Sequence, residues 1–159
     1  MEWFYMFLVG ATMVYLLLAT IWDLKDRAIY TFPCNVLTVM WIAYAFMQRM
    51  VDAKVVVAYL FFVGALYVLF LVTKIWGAGD SDLFLLFAAV YLAYMEGAIT
   101  VVVVSAQCIA LTLVLLISAI IGLIESRLRK KPFRRDSSIA IAPGYAVVMI
   151  GVMIGGLIA

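Results

Sequence analysis

Six long apolar segments, separated by short polar stretches, limit the fold of this 159-residue chain more than any other feature. A membrane-spanning helix needs about 17 to 25 predominantly apolar residues, and most of the segments have that length. Hydrophobic residues make up 69% of the chain, far more than a soluble domain of this size needs. We therefore predict an all-α polytopic membrane protein, a bundle of six transmembrane helices that forms a single domain over residues 1–159. The segments are 3–22, 34–50, 55–73, 83–95, 98–124 and 139–159.

The fourth segment, 83–95, is too short to cross a bilayer alone. As a helix it is about 20 Å long, whereas the hydrocarbon core of a bilayer is about 30 Å thick. Either residues 79–82 join this helix, or they lie in a cavity below the membrane surface. Both arrangements bring Asp80 toward the bilayer, where burying a charge costs several kcal/mol.

The basic residues predict the orientation of the helices. If the first helix ends in the cytoplasm, all 11 Lys and Arg residues except Arg49 and Lys54 lie inside. Both termini then lie outside, and loop 125–138 is cytoplasmic. Residues 1–3 lack a basic n-region, which favours a retained anchor over a signal peptide. Binding of anionic headgroups in the bilayer explains the basic run 127–135, and we expect no nucleic-acid partner.

Histidine is absent and only two cysteines are present. This composition excludes Ser-His catalysis and histidine-based zinc sites. Cys34 and Cys108 are far apart and unaccompanied, so they predict neither a zinc knuckle nor a disulfide framework. We expect no metal and no organic cofactor.

Two aspartates from distant segments are predicted to lie at similar depth on the cytoplasmic side. Asp23 follows the first apolar segment and Asp80 precedes the fourth. Two close carboxyls share one proton, so that the ionised one takes a proton from water and the protonated one polarises a peptide carbonyl. Gly77 and Gly79 lack a Cβ and would let an extended substrate backbone approach. Glycines that serve only helix packing and aspartates that cap helices are common, so neither feature alone indicates catalysis. The joint occurrence of these residues at one depth favours it.

Three motifs follow one another along the chain, at 23–31, 77–80 and 139–146. In this order they resemble the motifs of the type IV prepilin and preflagellin peptidases. G-A-G-D at 77–80 resembles their G-x-G-D signature, and D-L-K-D-R-A-I-Y-T at 23–31 is similar to their first-aspartate motif. I-A-I-A-P-G-Y-A at 139–146 resembles their last helix, with Pro143 packed near the active site. The resemblance implies a membrane aspartic endopeptidase at the cytoplasmic membrane. Such an enzyme removes short basic leaders from type IV pilin-like precursors, and the aspartates of the first two motifs form its catalytic dyad.

The chain departs from this family in three respects. Tyr30 stands where the first motif usually has proline, and Asp82 stands where many relatives have lysine. The tetracysteine domain of larger bacterial members is absent. The resemblance therefore implies a minimal member, like those of tight-adherence or archaeal systems, and predicts a peptidase without N-methyltransferase activity.

Two further acids have less certain roles. Asp26 is an alternative first catalytic acid, although the run D-L-K-x-R-x-I favours Asp23. Asp26 and Asp82 are candidates for contacts with the basic leader, and they are equally well explained as solvated loop acids.

Two alternative functions remain open from the sequence. A presenilin-like intramembrane protease shares G-x-G-D, but its known members are longer. A non-catalytic transporter or assembly subunit would use Asp23 and Asp80 for ions or for helix pairing.

Overall fold

All regular structure in the described residues is α-helical, which confirms the all-α part of the predicted fold class. The computed structural model describes residues 2–47, 53–73, 77–94, 100–128 and 139–158. Within these ranges the chain forms six helices and no strands. The helices are α1 (Glu2–Asp26), α2 (Thr31–Met47), α3 (Ala53–Thr73), α4 (Ala78–Ala93), α5 (Thr100–Leu128) and α6 (Ala142–Ile158).

Three of these helices are long and apolar enough to cross a membrane: α1, α3 and the Val101–Leu128 part of α5. Two shorter apolar helices, α2 and the Ala142–Gly155 part of α6, accompany them. Large apolar side chains are exposed on these helices, for example Phe61 and Val72 on α3. Exposed apolar surface of this extent is expected where lipid is the solvent, so the structure supports a membrane-embedded protein.

Contacts at the two ends of the bundle show that α4 runs in the opposite direction to α1 and α5. At one end, the hydroxyls of Tyr5 on α1 and Tyr94, just after α4, lie 2.8 Å apart. At the other end, Arg27 just after α1 forms an ion pair with Glu125 near the end of α5. The ends of α1 and α5 therefore lie at the same end of the bundle as the start of α4.

Helix α4 is the central helix. From Ser81 to Ala93 all its side chains are buried except that of Leu85, which is half-buried. It packs against α2, α3, α5 and α6, and most extensively against α2. Because α4 begins at Ala78, residues 79–82 join the helix, as the first of the two arrangements predicted from the sequence requires. With 16 residues, α4 is about 24 Å long.

The two prolines near helix starts lie where a missing N–H costs least. Helix α2 begins at Thr31, three residues before the predicted segment, so Pro33 is in its first turn. Pro143 is the second residue of α6. The first N–H groups of a helix have no partner within the helix, so proline fits both positions.

Aromatic side chains fill the end of the bundle opposite Arg27. Trp41 is fully buried, and its indole N–H donates to the Thr12 hydroxyl on α1 at 2.9 Å. Tyr5 stacks on Tyr44 with 5.7 Å between the ring centroids, and Tyr94 lies 5.9 Å from Trp41. This cluster joins α1, α2 and the end of α4.

Both cysteines are free, as their spacing predicts. Cys34 is a buried residue of α2, whereas Cys108 is exposed on α5.

Candidate active site

A cavity of about 280 Å³ lies at the end of the bundle where α1 ends and α4 begins. The structure brings together there four of the predicted site residues, Asp23, Gly77, Gly79 and Asp80. The connection between α1 and α2 forms one wall. The residues around the cavity that complete its lining are Arg27, Ala28, Ile29, Ala78 and Ile139.

Asp23 is held by the start of α6. Asp23 lies three residues before the end of α1 and is only 5% exposed. The backbone N–H of Ala142, the first residue of α6, donates to Asp23 Oδ2 at 2.9 Å. The N-terminus of a helix carries partial positive charge, so this contact favours a negative carboxylate and fixes its orientation.

Asp80 is the third residue of α4 and is half-buried. The N–H of Gly77 donates to its Oδ2 at 3.3 Å. Burial raises the pKa of the Asp80 carboxyl to about 6, and the nearby Asp23 carboxylate acts in the same direction. The Gly77 N–H and the Arg27 guanidinium oppose this rise without cancelling it. A carboxyl with this pKa holds a proton for part of the time near neutral pH, as an acid in catalysis requires.

The two glycines of the G-x-G-D motif have structural reasons to lack a side chain. A Cβ at Gly79 would lie 2.8 Å from Ile29 Cβ and 3.3 Å from the Ile29 carbonyl oxygen. A Cβ at Gly77 would lie 3.3 Å from Asp80 Oδ2. Gly79 therefore permits the close approach of α4 to the α1–α2 connection, and Gly77 leaves room for the Asp80 carboxyl. The approach of a substrate backbone, for which the sequence suggested both residues, stays a prediction.

The α1–α2 connection is fixed by its aromatic neighbours. The Tyr15 hydroxyl donates to the Tyr30 carbonyl at 3.0 Å. The Tyr30 ring packs edge-on against Trp22 with 4.6 Å between centroids. Tyr30, which replaces the proline of the resembled motif, thus fixes the end of the connection by contacts rather than by a restricted φ.

Asp26 and Asp82 lie outside the cavity lining. Asp26 is the exposed last residue of α1, so the structure places Asp23 and not Asp26 beside Asp80. Asp82 is 6% exposed and accepts a hydrogen bond from the Tyr67 hydroxyl of α3 at 3.1 Å. Asp82 is helical and buried, so it is not a solvated loop acid, whereas the exposed Asp26 agrees with a solvated acid at the end of α1. Their predicted contacts with a leader peptide remain untested.

Pro143 lies next to the site without lining it. It is buried and directly follows Ala142, whose N–H binds Asp23. A Cβ at the following Gly144 would overlap Ser118 Oγ and the Val114 carbonyl oxygen of α5. The start of α6 is thus pressed against α5, and this packing sets the position of the Ala142 N–H.

Sequence reasoning missed the charged and aromatic residues that complete the site. Arg27 Nη2 contacts Glu125 Oε2 at 2.6 Å, which joins the end of α1 to the last turns of α5. Tyr145 is fully buried on α6, packs against Phe87 at 5.6 Å between centroids, and lies within the electrostatic reach of Asp80. The spacing of Arg27 four residues after Asp23 was the one available signal, because residues at that spacing share a helix face.

Several predictions of the sequence lie outside the described residues. These include Lys74 and Arg49 of the orientation argument and the basic run from 129 onward. Among the described residues, no group of three or more histidine, cysteine, aspartate or glutamate side chains is placed to hold a metal ion.

The fold and the cavity together define a membrane-embedded helical protein with two aspartates at one end of the bundle. Comparison of the chain with protein-family models, curated proteins and solved structures found no match. The functional argument therefore depends on the site itself.

Proposed function

We propose that this protein is a membrane aspartic endopeptidase that removes short basic leaders from type IV pilin-like precursors. The observation that supports it most is the cavity that Asp23 and Asp80 line together. Each carboxyl belongs to a different helix, and each accepts a backbone N–H at a helix start. Those contacts orient both carboxyls toward one shared space.

The two carboxyls lie in different environments, since Asp23 is 5% exposed and Asp80 is half-buried. Asp23 accepts the N–H of Ala142 at the start of α6, which suits the ionised partner. Asp80 has a pKa of about 6, which suits the protonated partner. A pair of this kind shares one proton because two close carboxylates do not both ionise readily.

In the proposed reaction, water attacks the scissile carbonyl between the two carboxyls. Asp23 accepts a proton from the water as its oxygen bonds to the carbonyl carbon. Asp80 donates a hydrogen bond to the carbonyl oxygen, on which negative charge develops. The proton on Asp23 then passes to the leaving amine as the C–N bond breaks, and Asp80 retains the shared proton.

The proposed topology has six membrane helices, with the cavity at the cytoplasmic face of the cell membrane and both termini outside. The basic-residue bias supports this orientation. Helix α4 is too short for the full hydrocarbon core, but its burial among four other helices removes the need for lipid contact along its length. The half-buried cavity then opens at the membrane surface, where a leader peptide has access.

The acids at and beside the cavity, and not the net charge of this end of the bundle, support a cationic substrate segment. Asp23 and Asp80 line the cavity, and Glu125 lies at its edge through its pair with Arg27. Asp26, at the exposed end of α1, is available to a basic side chain outside the cavity. Asp82 is less accessible to a basic leader than Asp26, because it is buried and accepts the Tyr67 hydroxyl.

Co-expression with candidate precursors tests this proposal. Each precursor would carry a basic leader before a hydrophobic segment, and mass spectrometry of the product would locate the cut. Removal of the leader at one position, dependent on this chain, is expected. A chain that inserts in the membrane but leaves every candidate precursor intact would favour the transporter or assembly-subunit alternative.

A further inference from the structure

Arg27 occupies an unusual place for a site that depends on a shared proton. Among the described residues that line the cavity, it is the one cationic side chain, and it lies with Asp23 and Asp80. Its backbone has a φ of 53°, in the left-handed region that a residue other than glycine seldom adopts. This conformation ends α1 and is part of the turn toward α2.

A direct pair between this guanidinium and either aspartate would oppose the proposed chemistry. An opposite charge within hydrogen-bonding distance lowers the pKa of a carboxyl by about 1 to 3 units. Such a pair would keep both carboxyls ionised near neutral pH, and no proton would remain for polarising the substrate carbonyl. The site therefore needs Arg27 to be held by another group.

Glu125 is positioned to hold it. Its Oε2 lies 2.6 Å from Arg27 Nη2, and the two side chains are 14% and 30% exposed, respectively. A charge-assisted hydrogen bond of this length is stronger than one between neutral groups. Glu125 lies within the last turn of α5, so the anchor belongs to a different helix from either aspartate.

We propose that Glu125 is a positioning residue that restrains the Arg27 guanidinium, so that Asp23 and Asp80 remain free to share a proton. The inference rests on the proposed peptidase function. Within the described ranges, the charged and titratable groups that face Asp80 are Asp23 and Arg27 from α1 and its end, and Tyr145 from α6. Of these, only Arg27 is cationic, and Glu125 directs it toward α5.

The test compares five proteins: the unchanged chain, Glu125→Gln, Arg27→Gln, the double variant, and Lys25→Gln as a control. Lys25 is an exposed cation two residues before Arg27 that does not line the cavity, so its removal controls for net charge. Thermal unfolding of each protein in detergent establishes that it is folded. Glu125→Asp, which keeps a carboxylate, replaces Glu125→Gln if the latter does not fold.

The first readout is the pH at which Asp80 loses its proton. An apolar carbodiimide modifies protonated carboxyls, and mass spectrometry of the peptide reports the modified fraction at each pH. The unchanged chain is expected to show a midpoint near 6. Glu125→Gln frees Arg27 to pair with the aspartates and should lower that midpoint by about one unit or more.

The double variant distinguishes restraint of Arg27 from two simpler effects. If Glu125 acts only through Arg27, then Glu125→Gln changes nothing once residue 27 is glutamine, and the double variant matches Arg27→Gln. If Glu125 acts only as a distant negative charge, Glu125→Gln lowers the midpoint equally in both backgrounds. If the Arg27–Glu125 pair only stabilises the contact between the end of α1 and α5, both single variants lose stability. The Asp80 midpoint then shows neither of the two patterns described above. Either of the last two results would overturn the inference, as would failure of both Glu125 variants to fold.

The second readout is leader cleavage at pH 7. A fall of one unit in the Asp80 midpoint reduces its protonated fraction about tenfold, so Glu125→Gln should lower kcat by a similar factor and leave KM nearly unchanged. Arg27→Gln in the same chain should restore kcat. If the unchanged chain cleaves no precursor, the proposed function fails, and the carbodiimide midpoints still decide the inference about Glu125. Unaltered kcat in Glu125→Gln, with a cleaving parent chain, would contradict the inference alone.

Discussion

The Asp23 carboxylate accepts a hydrogen bond from the backbone N–H of Ala142 at 2.9 Å, which joins the end of α1 to the first residue of α6. One candidate catalytic group therefore has its orientation set by a helix that is distant in sequence. Asp80 receives a similar donor from Gly77 at the start of α4. The site depends on the relative positions of three helix ends, and substitutions that shift any of them should affect cleavage.

Gly79→Ala is expected to destabilise the protein and to reduce cleavage. The added Cβ would lie 2.8 Å from Ile29 Cβ, so α4 and the α1–α2 connection must separate. Overpacking of this kind costs about 1 to 3 kcal/mol. Thermal unfolding in detergent and a cleavage assay measure the two effects. Gly64→Ala on α3 is the matched control, since a Cβ there meets no atom within 4 Å, and a stability loss as large in the control would refute the packing explanation.

Gly144→Ala should move the start of α6 away from α5. Its Cβ would overlap Ser118 Oγ and the Val114 carbonyl oxygen, and backbone atoms cannot rotate aside. Because the Ala142 N–H lies two residues earlier, we expect weaker contact with Asp23 and lower kcat as well as lower stability. Gly151→Ala on the same helix, with open space around its Cβ, should be nearly neutral. Normal cleavage by Gly144→Ala would show that the α5–α6 contact does not set the site.

Asp82→Asn should lower stability and leave the pH dependence of cleavage unchanged. The Asp82 carboxylate accepts the Tyr67 hydroxyl and is buried, and its charge is not among those that shift the pKa of Asp80. Stability measurements on Asp82→Asn and Tyr67→Phe, with the double variant, report the coupling. A changed preference for leaders with fewer or more lysines would instead favour the leader contact that the sequence suggested.

The rate of cleavage should decrease as the pH rises above about 6. The pKa of Asp80 is raised to about 6, so the proton that the dyad needs is present below that pH and is lost above it. Well above the pKa, the rate should fall about tenfold for each pH unit. Arg27→Gln removes a cation that lowers the pKa of Asp80, so it should move this limb of the profile to higher pH. A cleavage rate that does not change between pH 6 and 8 would contradict control of the rate by the titration of Asp80.

Topology is tested by labelling single cysteines with a membrane-impermeant maleimide. In a chain without Cys34 and Cys108, Trp3→Cys places a thiol at an 89% exposed position near the start of α1. Asp26→Cys places one at the exposed end of the same helix. The proposal predicts labelling of position 3 in intact cells and of position 26 only after permeabilisation. The reverse result would place the cavity outside the cell.

The sequence predicted the parts of the structure that depend on local composition. Apolar length predicted six helices, and the acids at helix ends predicted that Asp23 and Asp80 would lie at one end of the bundle. Helix rotation was not predictable, because helices that are apolar on all sides carry little periodic signal. The Ile29–Gly79 contact, the Ala142–Asp23 bond and the Arg27–Glu125 pair all depend on that rotation.

The end of α5 shows why the polar residues of the site were missed. A count of apolar residues ends the fifth segment at 124 and assigns Glu125 to a loop. The helix continues to Leu128, which places Glu125 on a helical face toward Arg27. An ion pair between residues that are distant in sequence cannot be predicted from the residues around either one.

The most direct test of the central claim is precursor cleavage by the purified chain and by its Asp23→Asn and Asp80→Asn variants. Asparagine keeps the size of the side chain and an oxygen for the Ala142 or Gly77 N–H, but it cannot share or accept the proton. With folding verified by thermal unfolding, the account predicts that each variant loses leader removal while Asp26→Asn retains it. Full cleavage by either Asp23→Asn or Asp80→Asn would contradict the proposed dyad.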